Sequence, residues 1–378
     1  MNQVRVGIIG TGGMGQGHAA YMNELEECQL TAICDIEPDV CKQVSEQYGV
    51  PGFERHTDLL DSGLVDLVLI ATPHYDHPPI AIDAFQRGIH VLSEKPIAVT
   101  VSAADAMIKA ARKSRCTFGV MYQMRTEARS IAAKRLIDSG ALGEVYRTSM
   151  IMGWYRTQAY YDSGTWRATW TGEGGGVLIN QAPHYLDIFA WLGGLPSLIR
   201  GGVRTRLHDI EVEDEAWAEL AYPNGAHGYL YASVIEAPGT GLMEFCGNEG
   251  KLVLQGKEVQ FWRLKRPIKQ FTVESEAMWA SPEAERVEVE LPEVKSGHNE
   301  VTRNVARAIL YGEPLIAPGA EGLMAMELIN GIIYSGRRGR PTKVPVSRRR
   351  YDRLIEELKA SSRGKERLRV QRVTDPNL

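Results

Sequence analysis

The 378-residue sequence has no long hydrophobic run, no paired cysteine motif and no strong excess of one charge. No apolar stretch approaches the ~18 residues that a membrane-spanning helix needs, so we expect no membrane partner. The five cysteines are odd in number and form no C-x-x-C pair, which argues against a disulfide framework and a cysteine zinc site. A net charge of -4 makes nucleic acid an unexpected partner.

The sequence also has no internal repeat and no low-complexity segment. It enters a strand pattern at once, at Val4–Ile9, without the basic and apolar regions of a signal peptide, so we expect a cytoplasmic location. The composition is 44% hydrophobic and 24% charged, which is typical of a globular protein. The length favours about two domains on a prior of ~150 residues each.

Residues 1–123 alternate short apolar runs with amphipathic stretches, a pattern that predicts βαβ units around a parallel sheet. The apolar runs are nearly continuous, as expected for strands covered on both faces. The predicted strands are Val4–Ile9, Leu30–Cys34, Val65–Ala71, His90–Ser93 and Thr117–Met121. We therefore predict an α/β fold that begins with a Rossmann domain.

Residues 124–345 have a different texture, with long β-rich stretches such as Val145–Trp154, His227–Val234 and Val287–Leu291. Turn signals separate them, which predicts an α/β domain with a large, open, mainly antiparallel sheet covered by helices on one face. The tail, residues 346–378, carries ten Lys and Arg against five Asp and Glu. It suggests an anionic partner or a solvated helix with a frayed end, and we favour the second.

The motif Gly10-Thr11-Gly12-Gly13-Met14-Gly15 lies directly between a strand and a helix pattern. In a dinucleotide site such glycines make a tight turn, let the pyrophosphate approach and pack the helix on the strand. Asp35 ends the next strand, where a carboxylate accepts hydrogen bonds from ribose hydroxyls and repels a 2′-phosphate. We therefore predict NAD rather than NADP as the cofactor.

The loop after Val65–Ala71 should border the same cofactor, because ligands bind outside the carboxyl ends of strands. Thr72 and Pro73 are candidate contacts. His74 and His77 suggest a metal, but no carboxylate–histidine spacing supports one, and we expect His77 to begin a helix at the rim. No metal site is predicted.

Three glycines introduce the stretch Gly174–Asp187, in which Asn180 is a predicted helix N-cap and His184 follows four residues later. On one helix these two side chains share a face. The stretch thus predicts a polar pair that a glycine turn directs into a pocket, with a histidine whose ordinary pKa suits proton transfer.

Four motifs in this order resemble the glucose–fructose oxidoreductase/inositol dehydrogenase/MocA (Gfo/Idh/MocA) family: the glycine motif, Thr72-Pro73, Glu94-Lys95-Pro96 and Gly174–Asp187. The resemblance extends from Val4 to about Pro345. It implies a Rossmann domain, a second domain whose open sheet forms dimer or tetramer contacts, and an NAD(P)-dependent enzyme that acts on sugars or cyclitols.

The resemblance also implies roles for individual residues. Lys95 would stand beside the nicotinamide and stabilise a developing alkoxide, and His184 would be the general base. Many relatives place aspartate where this chain has Asn180, which can orient a hydroxyl but cannot take its proton. This departure puts a simple Asp–His dehydrogenase assignment in doubt.

The predicted catalytic residues are thus Lys95 and His184. The predicted substrate-binding residues are aromatic, cationic or amide side chains suited to a sugar: Asn180, Tyr122, Arg125, Tyr155, Arg156, Trp166 and Arg167. The predicted cofactor-binding residues are Gly10, Thr11, Gly12, Gly13, Met14, Gly15, Asp35, Thr72, Pro73, His77, Glu94, Lys95 and Gln123. A phosphate, carboxylate or sulfonate substituent on the substrate stays open.

Three functions are weighed. The leading hypothesis is an NAD-dependent oxidoreductase of a secondary alcohol on a small sugar or cyclitol. The second is a glycosidase with catalytic NAD, in which transient ring oxidation, elimination, water addition and re-reduction cleave the bond. The third is a non-catalytic, NAD-binding regulator, against which intact Lys95 and His184 argue.

Overall fold

The computed structural model describes residues 3–365, which divide into two compact units. The first unit comprises residues 3–126, 171–174 and 295–326. The second comprises residues 127–170, 175–294 and 327–365. The sequence prediction divided the chain at residue 123 and left residues 295–326 in the second domain. The difference arises because a helix in that segment packs into the core of the first unit.

Strands and helices alternate through the first part of the first unit. They are β1 Val4–Ile9, α1 Gly13–Met22, β2 Cys28–Cys34, α2 Pro38–Tyr48, β3 Gly52–Phe53, α3 His56–Asp61, β4 Leu67–Ile70, α4 His77–Gln86, β5 His90–Ser93, α5 Val101–Ser114 and β6 Phe118–Val120. The six strands are parallel, in the order β3-β2-β1-β4-β5-β6. This is the doubly wound Rossmann order, whose direction reverses between β1 and β4. The predicted Rossmann domain is confirmed.

The second unit contains most of the remaining elements. They are α6 Ala128–Asp138, β7 Val145–Tyr155, α7 Gln158–Asp162, α8 Pro183–Gly193, β8 Leu198–Arg204, β9 Glu215–Ala221, β10 His227–Ser233, β11 Ile235–Gly247, β12 Gly250–Gln255, β13 Glu258–Leu264, α9 Ile268–Glu274 and β14 Ala284–Val287. The last elements of the chain are α10 His298–Tyr311, which belongs to the first unit, then α11 Gly322–Arg338, β15 Thr342–Lys343 and α12 Arg348–Ala360.

Nine strands of the second unit form one sheet, in the order β14-β13-β12-β11-β7-β10-β9-β8-β15. Neighbouring strands are antiparallel except β7 and β10. The prediction of a large, mainly antiparallel sheet is therefore confirmed. The predicted strand Val287–Leu291 is wrong, because β14 ends at Val287. The predicted helix in the basic tail is α12, and residues 366–378 of that tail lie outside the described residues.

The two faces of this sheet differ because successive side chains of a strand point to opposite sides. Leu230 on β10 and Met150 on β7 pair on the buried face. Tyr229 and Trp217, on the other face, are 54% and 40% exposed. Within residues 3–365, no helix combines the length and apolarity needed to cross a membrane.

Helix α10 completes the core of the first unit. Val301 and Val305 on this helix are both 1% exposed and belong to the apolar cluster that contains Val4, Val6 and Ile8 of β1. Val305 also lies against β6, because a Cβ on Gly119 would stand only 2.9 Å from Cγ2 of Val305. The fold of the first unit thus depends on a helix that is remote in sequence.

We expect Val305→Ala to lower the free energy of unfolding by about 1–3 kcal/mol, because it removes two buried methyl groups and leaves a cavity. Val273→Ala is the matched control, since Val273 is 86% exposed and the change should stay within about 0.5 kcal/mol. Urea unfolding midpoints of both variants check this. Equal midpoints would show that α10 does not stabilise the core.

Candidate functional site

The glycine motif forms a tight turn between β1 and α1. Gly10 has a φ of +87°, and a Cβ there would stand 2.8 Å from backbone atoms of Ala71 and Thr72. A Cβ on Gly15 would stand 1.9 Å from the carbonyl oxygen of Gly10. Both positions therefore require glycine, the first for the turn and its close approach to the β4 loop, the second for packing of α1 on β1.

Gly12 differs from these two glycines. It is the N-cap of α1 without a side-chain cap, and a Cβ there would meet no atom within 4 Å. The protein itself therefore leaves room for a side chain at this position. A pyrophosphate that approaches the N–H groups at the start of α1 would occupy that room. The loop fits the predicted dinucleotide.

Asp35 lies beside this loop. Its Oδ2 accepts hydrogen bonds from the Thr11 N–H at 2.7 Å and the Thr11 hydroxyl at 3.0 Å. Its Oδ1 accepts the Glu37 N–H at 3.0 Å. The carboxylate thus stands at the edge of the predicted ribose site, and the exposed neighbour Ile36 brings no cation to receive a 2′-phosphate.

His77 joins two loops at the carboxyl edge of the parallel sheet. Its Nε2 lies 2.8 Å from the carbonyl oxygen of Thr72 and its Nδ1 lies 2.9 Å from that of Pro96. The ring is 0% exposed, and this burial lowers the pKa of His77. His77 begins α4, as predicted. Its ring holds the two loops together through their carbonyl oxygens. A direct contact of His77 with the cofactor stays a prediction. The buried Thr72 hydroxyl has no hydrogen-bond partner among the described residues, and its predicted contact with the cofactor stays a prediction.

Glu94 ties the loop of Lys95 to the glycine loop. Its Oε1 lies 2.7 Å from Nε2 of His18 on α1, and its Oε2 accepts the Lys95 N–H at 3.0 Å. Burial opposes ionisation of Glu94, but the hydrogen bond and charge of His18 outweigh it and lower the pKa of Glu94 to about 2. The sequence reasoning missed His18, three residues after Gly15.

The hydrogen bonds continue beyond His18. The His18 Nδ1 lies 2.6 Å from the Tyr21 hydroxyl, which is 2.9 Å from the Thr302 hydroxyl on α10. Burial raises the pKa of Tyr21, so this phenol stays neutral. The charged Glu94 is thus supported by a buried polar chain that reaches the remote helix of the first unit.

Two predicted substrate ligands lie in the interior of the first unit. Tyr122 and Arg125 are each 1% exposed, with the guanidinium 5.9 Å from the Tyr122 ring centre. Arg125 pairs with Glu321 and donates to the carbonyl oxygen of Ile316 at 3.2 Å. Residues 295–326 thus contribute to the burial of Arg125, and the assignment of Tyr122 and Arg125 to the substrate stays a prediction. Gln123 begins a short 3-10 helix at the same place, and its role stays a prediction.

The stretch after the three glycines is not one α-helix. Val177–Gln181 forms a π-helical turn, closed by a 2.8 Å hydrogen bond from the Ala182 N–H to the carbonyl oxygen of Val177. α8 begins anew at Pro183, with Ala182 as N-cap. The predicted N-cap role of Asn180 is wrong. Asn180 lies within the wider π-helical turn, and α8 begins only at Pro183, a residue that suits the first position of a helix.

His184 is the second residue of α8 and is half-buried. Asn180 is 9% exposed, and its Oδ1 accepts the side-chain N–H of Gln181 at 3.1 Å. Asn180 therefore lies on the π-helical turn and His184 on α8. Their four-residue spacing, which would place both side chains on one face of a single helix, does not determine their relative position. Functional π-turns of this kind are frequent at active sites.

Glu213, which the sequence reasoning missed, holds the π-helical turn from below. Its Oε1 accepts the N–H groups of Gly176 at 2.9 Å and Leu178 at 3.2 Å, and its carbonyl oxygen accepts that of Val177 at 2.8 Å. A Cβ on Gly176 would stand 1.9 Å from the same carbonyl oxygen. The sequence did contain a signal for Glu213, because the acidic run Glu211–Glu215 leads directly into an apolar strand.

The remaining predicted substrate ligands lie near α7. The guanidinium of Arg167 stacks on the rings of Tyr160 and Trp166, at 4.6 and 4.5 Å from their centres. Arg156 lies 5.5 Å from the Tyr160 ring centre. The structure thus brings Arg156, Trp166 and Arg167 together around Tyr160, whereas Tyr155 is 47% exposed at the end of β7.

Among residues 3–365, no group of three or more His, Cys, Asp or Glu side chains could hold a metal ion. His74, one of the two histidines that suggested a metal, directs its Nδ1 to the carbonyl oxygen of Glu173 at 2.9 Å. Both histidines thus contact backbone carbonyls.

Two family models match the chain. Residues 4–122 match the NAD-binding Rossmann fold of an oxidoreductase family, and residues 131–253 match the GFO/IDH/MocA C-terminal domain. Together they cover more than half of the sequence, in the order that the sequence motifs predict. The chain belongs to the Gfo/Idh/MocA family, and the predicted NAD-binding domain is confirmed.

Curated relatives include an inositol 2-dehydrogenase of Rubrobacter xylanophilus, 30% identical over 50% of this chain and 52% of the relative. A glycosyl hydrolase family 109 protein of Shewanella pealeana is 28% identical over 60% of this chain and 54% of its own length. The matches thus span about half the length of these relatives.

Among solved structures, the WlbA dehydrogenase of Bordetella pertussis, in complex with NADH and UDP-GlcNAcA, is similar with a TM-score of 0.79. It is 27% identical, and the match covers 91% of this chain and 100% of that one. This similarity supports the two-part α/β architecture.

We expect Gly12→Ala to fold normally but to weaken NAD binding by at least about tenfold, because the new methyl group occupies the predicted pyrophosphate position. Gly17→Ala on the same helix is the matched control, since a Cβ there also meets nothing within 4 Å. It should leave NAD affinity unchanged and stabilise α1 by about 0.5–1 kcal/mol. Calorimetric titration with NAD measures both. Equal NAD affinity in the two variants would show that the pyrophosphate does not bind at Gly12.

Burial raises the pKa of Glu213, against the opposing effect of its backbone hydrogen bonds. A raised folded-state pKa means that stability is lost as pH rises from the unfolded pKa of about 4.3 through the folded value. Glu213→Gln keeps a carbonyl acceptor and removes this loss, so its stability relative to the native protein should grow with pH. Relative to Glu213→Gln, Glu213→Ala should cost about 1–3 kcal/mol at every pH, because the buried N–H groups lose their acceptor. Parallel stability curves for the native protein and Glu213→Gln, between pH 4 and 8, would contradict the raised pKa.

Proposed function

We propose that the protein is an NAD-dependent oxidoreductase that oxidises a secondary hydroxyl of a sugar, a sugar derivative or a cyclitol. The observation that carries this proposal is the fixed position of the Lys95 loop at the carboxyl edge of the parallel sheet. The Glu94 N–H donates to the carbonyl oxygen of Ile70 at 2.8 Å, and its carboxylate holds His18 of α1. Ligands of doubly wound sheets bind at this edge.

The ammonium group of Lys95 is proposed to stabilise the alkoxide that develops on the substrate. The backbone N–H of Lys95 is bonded to the Glu94 carboxylate, so the chain around the lysine is held while its side chain, only half-buried, extends. A preoriented cation lowers the energy of a developing oxyanion without reorganisation during the reaction.

His184 is proposed to accept the hydroxyl proton, and Asn180 to orient the hydroxyl. The Asn180 amide can donate or accept a hydrogen bond but cannot take a proton, so a titratable neighbour must do so. NAD supplies the hydride acceptor, and the residues of the chain supply orientation and charge. The dehydrogenase names of the inositol and WlbA relatives support this reaction class.

The glycosidase reading has one supporting observation, the similarity to a glycosyl hydrolase family 109 protein. Tyr155 and Tyr160 are candidates for the additional base that such a reaction needs near the ring. The two functions differ in their redox balance. A dehydrogenase accumulates one NADH per substrate, whereas the glycosidase releases its aglycone without net NADH.

We further propose a cytoplasmic homo-oligomer, dimer or tetramer, that associates through the open face of the nine-stranded sheet. Trp217 and Tyr229 support this assignment, because large aromatic side chains with 40% and 54% exposure are typical of protein interfaces.

His184→Ala should abolish NADH formation on a panel of sugars, cyclitols and glycosides while NAD affinity stays within about threefold of the native value, because it removes only the proton acceptor. His227→Ala, at an exposed histidine on β10, is the matched control and should keep full turnover. Absorbance of NADH and release of free aglycone are recorded together. Full turnover by His184→Ala would contradict the assignment of His184 as the base. Release of aglycone without net NADH by the native protein would favour the glycosidase over the dehydrogenase.

A further inference from the structure

Two arginines of the second unit converge on one tyrosine. The Cζ of Arg156 lies 5.5 Å from the Tyr160 ring centre, and that of Arg167 lies 4.6 Å from it. Arg167 also donates from Nη1 to the Tyr160 hydroxyl at 2.8 Å and stacks on Trp166 at 4.5 Å. We call Arg156, Tyr160, Trp166 and Arg167 the arginine clamp.

Neither guanidinium of the arginine clamp forms an ion pair with a carboxylate in the part of the chain that the structure describes. Arg156 donates to the carbonyl oxygen of Tyr155 at 3.0 Å, and Arg167 to the Tyr160 hydroxyl. The neighbouring acid, Asp162, is occupied elsewhere, since it lies 3.9 Å from Nζ of Lys365 and accepts the Gln158 side chain at 3.2 Å. Within residues 3–365, two half-buried positive charges thus stand together without a counter-ion, which costs free energy unless an anion binds.

The backbone on either side of the clamp is held in place. His208 directs Nε2 to the carbonyl oxygen of Arg156 at 2.8 Å and Nδ1 to Asp214 at 3.0 Å. The residue after Arg167, Ala168, is fully buried with a φ of +58°, a left-handed conformation that a non-glycine residue adopts at a cost of ~1 kcal/mol or more. Strain of this kind concentrates at binding sites, because the surrounding structure must enforce it.

The clamp is also bonded to a predicted substrate ligand. The Tyr160 hydroxyl oxygen accepts the Gln181 side chain at 2.8 Å as well as Arg167, and Gln181 in turn donates to Asn180 at 3.1 Å. A hydrogen-bonded path therefore runs from the guanidinium of Arg167 to the amide that is proposed to orient the reacting hydroxyl. A ligand group held by the arginines would thus be positioned relative to Asn180.

These contacts change the role first expected for the aromatic residues. A face of Tyr160 and a face of Trp166 are covered by the Arg167 guanidinium, so these faces do not stack on a sugar ring. Stacking covers the face of a guanidinium and not its edge, and each arginine carries N–H groups beyond its Nη1 donor, of the kind that match the oxygens of a carboxylate or phosphate. Recognition here is of charge rather than of an apolar ring face.

We propose that the arginine clamp binds an anionic substituent of the substrate, so that the substrate class is an acidic sugar, a uronic acid or a sugar phosphate, rather than a neutral polyol. The proposal rests on the proposed oxidoreductase function, which places Asn180 at the reacting hydroxyl. Carboxylate and phosphate share the chemistry that the clamp recognises, and the experiment separates the two.

Glucose, glucuronate and glucose 6-phosphate are compared as substrates with NAD, in the native protein and in Arg156→Gln and Arg167→Gln. The native kcat/KM should favour one anionic sugar over glucose, and each variant should reduce this preference by about 10- to 100-fold, the value of one charge-assisted hydrogen-bond pair. Arg167→Lys should recover part of it, because lysine restores the charge but not the fork. Arg286→Gln is the matched control, since Arg286 also stacks on a tryptophan, at 5.9 Å from Trp262, and should keep the native preference.

Binding is measured separately, by calorimetric titration of the NAD-loaded protein with glucuronate and with glucose 6-phosphate. If NADH forms on glucose as readily as on both anionic sugars, the clamp proposal is overturned while the oxidoreductase stands. If no sugar yields NADH, the proposed function fails, yet anion binding that Arg167→Gln abolishes would still support the clamp. No anion binding at millimolar concentration, or equal binding in Arg167→Gln and Arg286→Gln, overturns it.

Discussion

The buried pair of His18 and Glu94 is the interaction on which the arrangement of the first unit depends. It joins α1, whose N-terminus carries the glycine turn, to the loop that carries Lys95. An ionised carboxylate at 6% exposure is stable only with such a partner, and here the pair lowers the pKa of Glu94 to about 2. One contact therefore joins the predicted cofactor loop to the loop of the proposed catalytic lysine.

In the second unit, a buried carboxyl group bonded to backbone N–H groups holds the π-helical turn. Gly176 approaches the carbonyl oxygen of Glu213 so closely that no side chain fits, and the buried carboxyl group accepts two N–H groups of the turn. Burial raises the pKa of Glu213, against the opposing effect of its backbone hydrogen bonds. A carboxylate paired with histidine and a buried carboxyl group bonded to backbone thus each hold one predicted catalytic segment.

The charges of the predicted substrate-binding arginines are arranged differently from that of Glu94. Glu94 has its counter-ion in the protein, whereas Arg156 and Arg167 have none among the described residues and are held by stacking on Tyr160. The proposed anionic group of the substrate would supply the counter-ion of these two arginines. Asn180 fits this picture, because an aspartate in its place would repel an anionic substrate.

The sequence by itself determined the Rossmann domain and the NAD preference, because these depend on local periodicity and on residue chemistry at fixed spacing. Only the tertiary structure decided that Arg125 is buried, since Ile316 and Glu321, 191 and 196 residues later in the chain, contact it. It likewise decided that Pro183 separates Asn180 from α8 and that Glu213 lies under Gly176. Burial and partnership are long-range properties, and no pattern within one segment contains them.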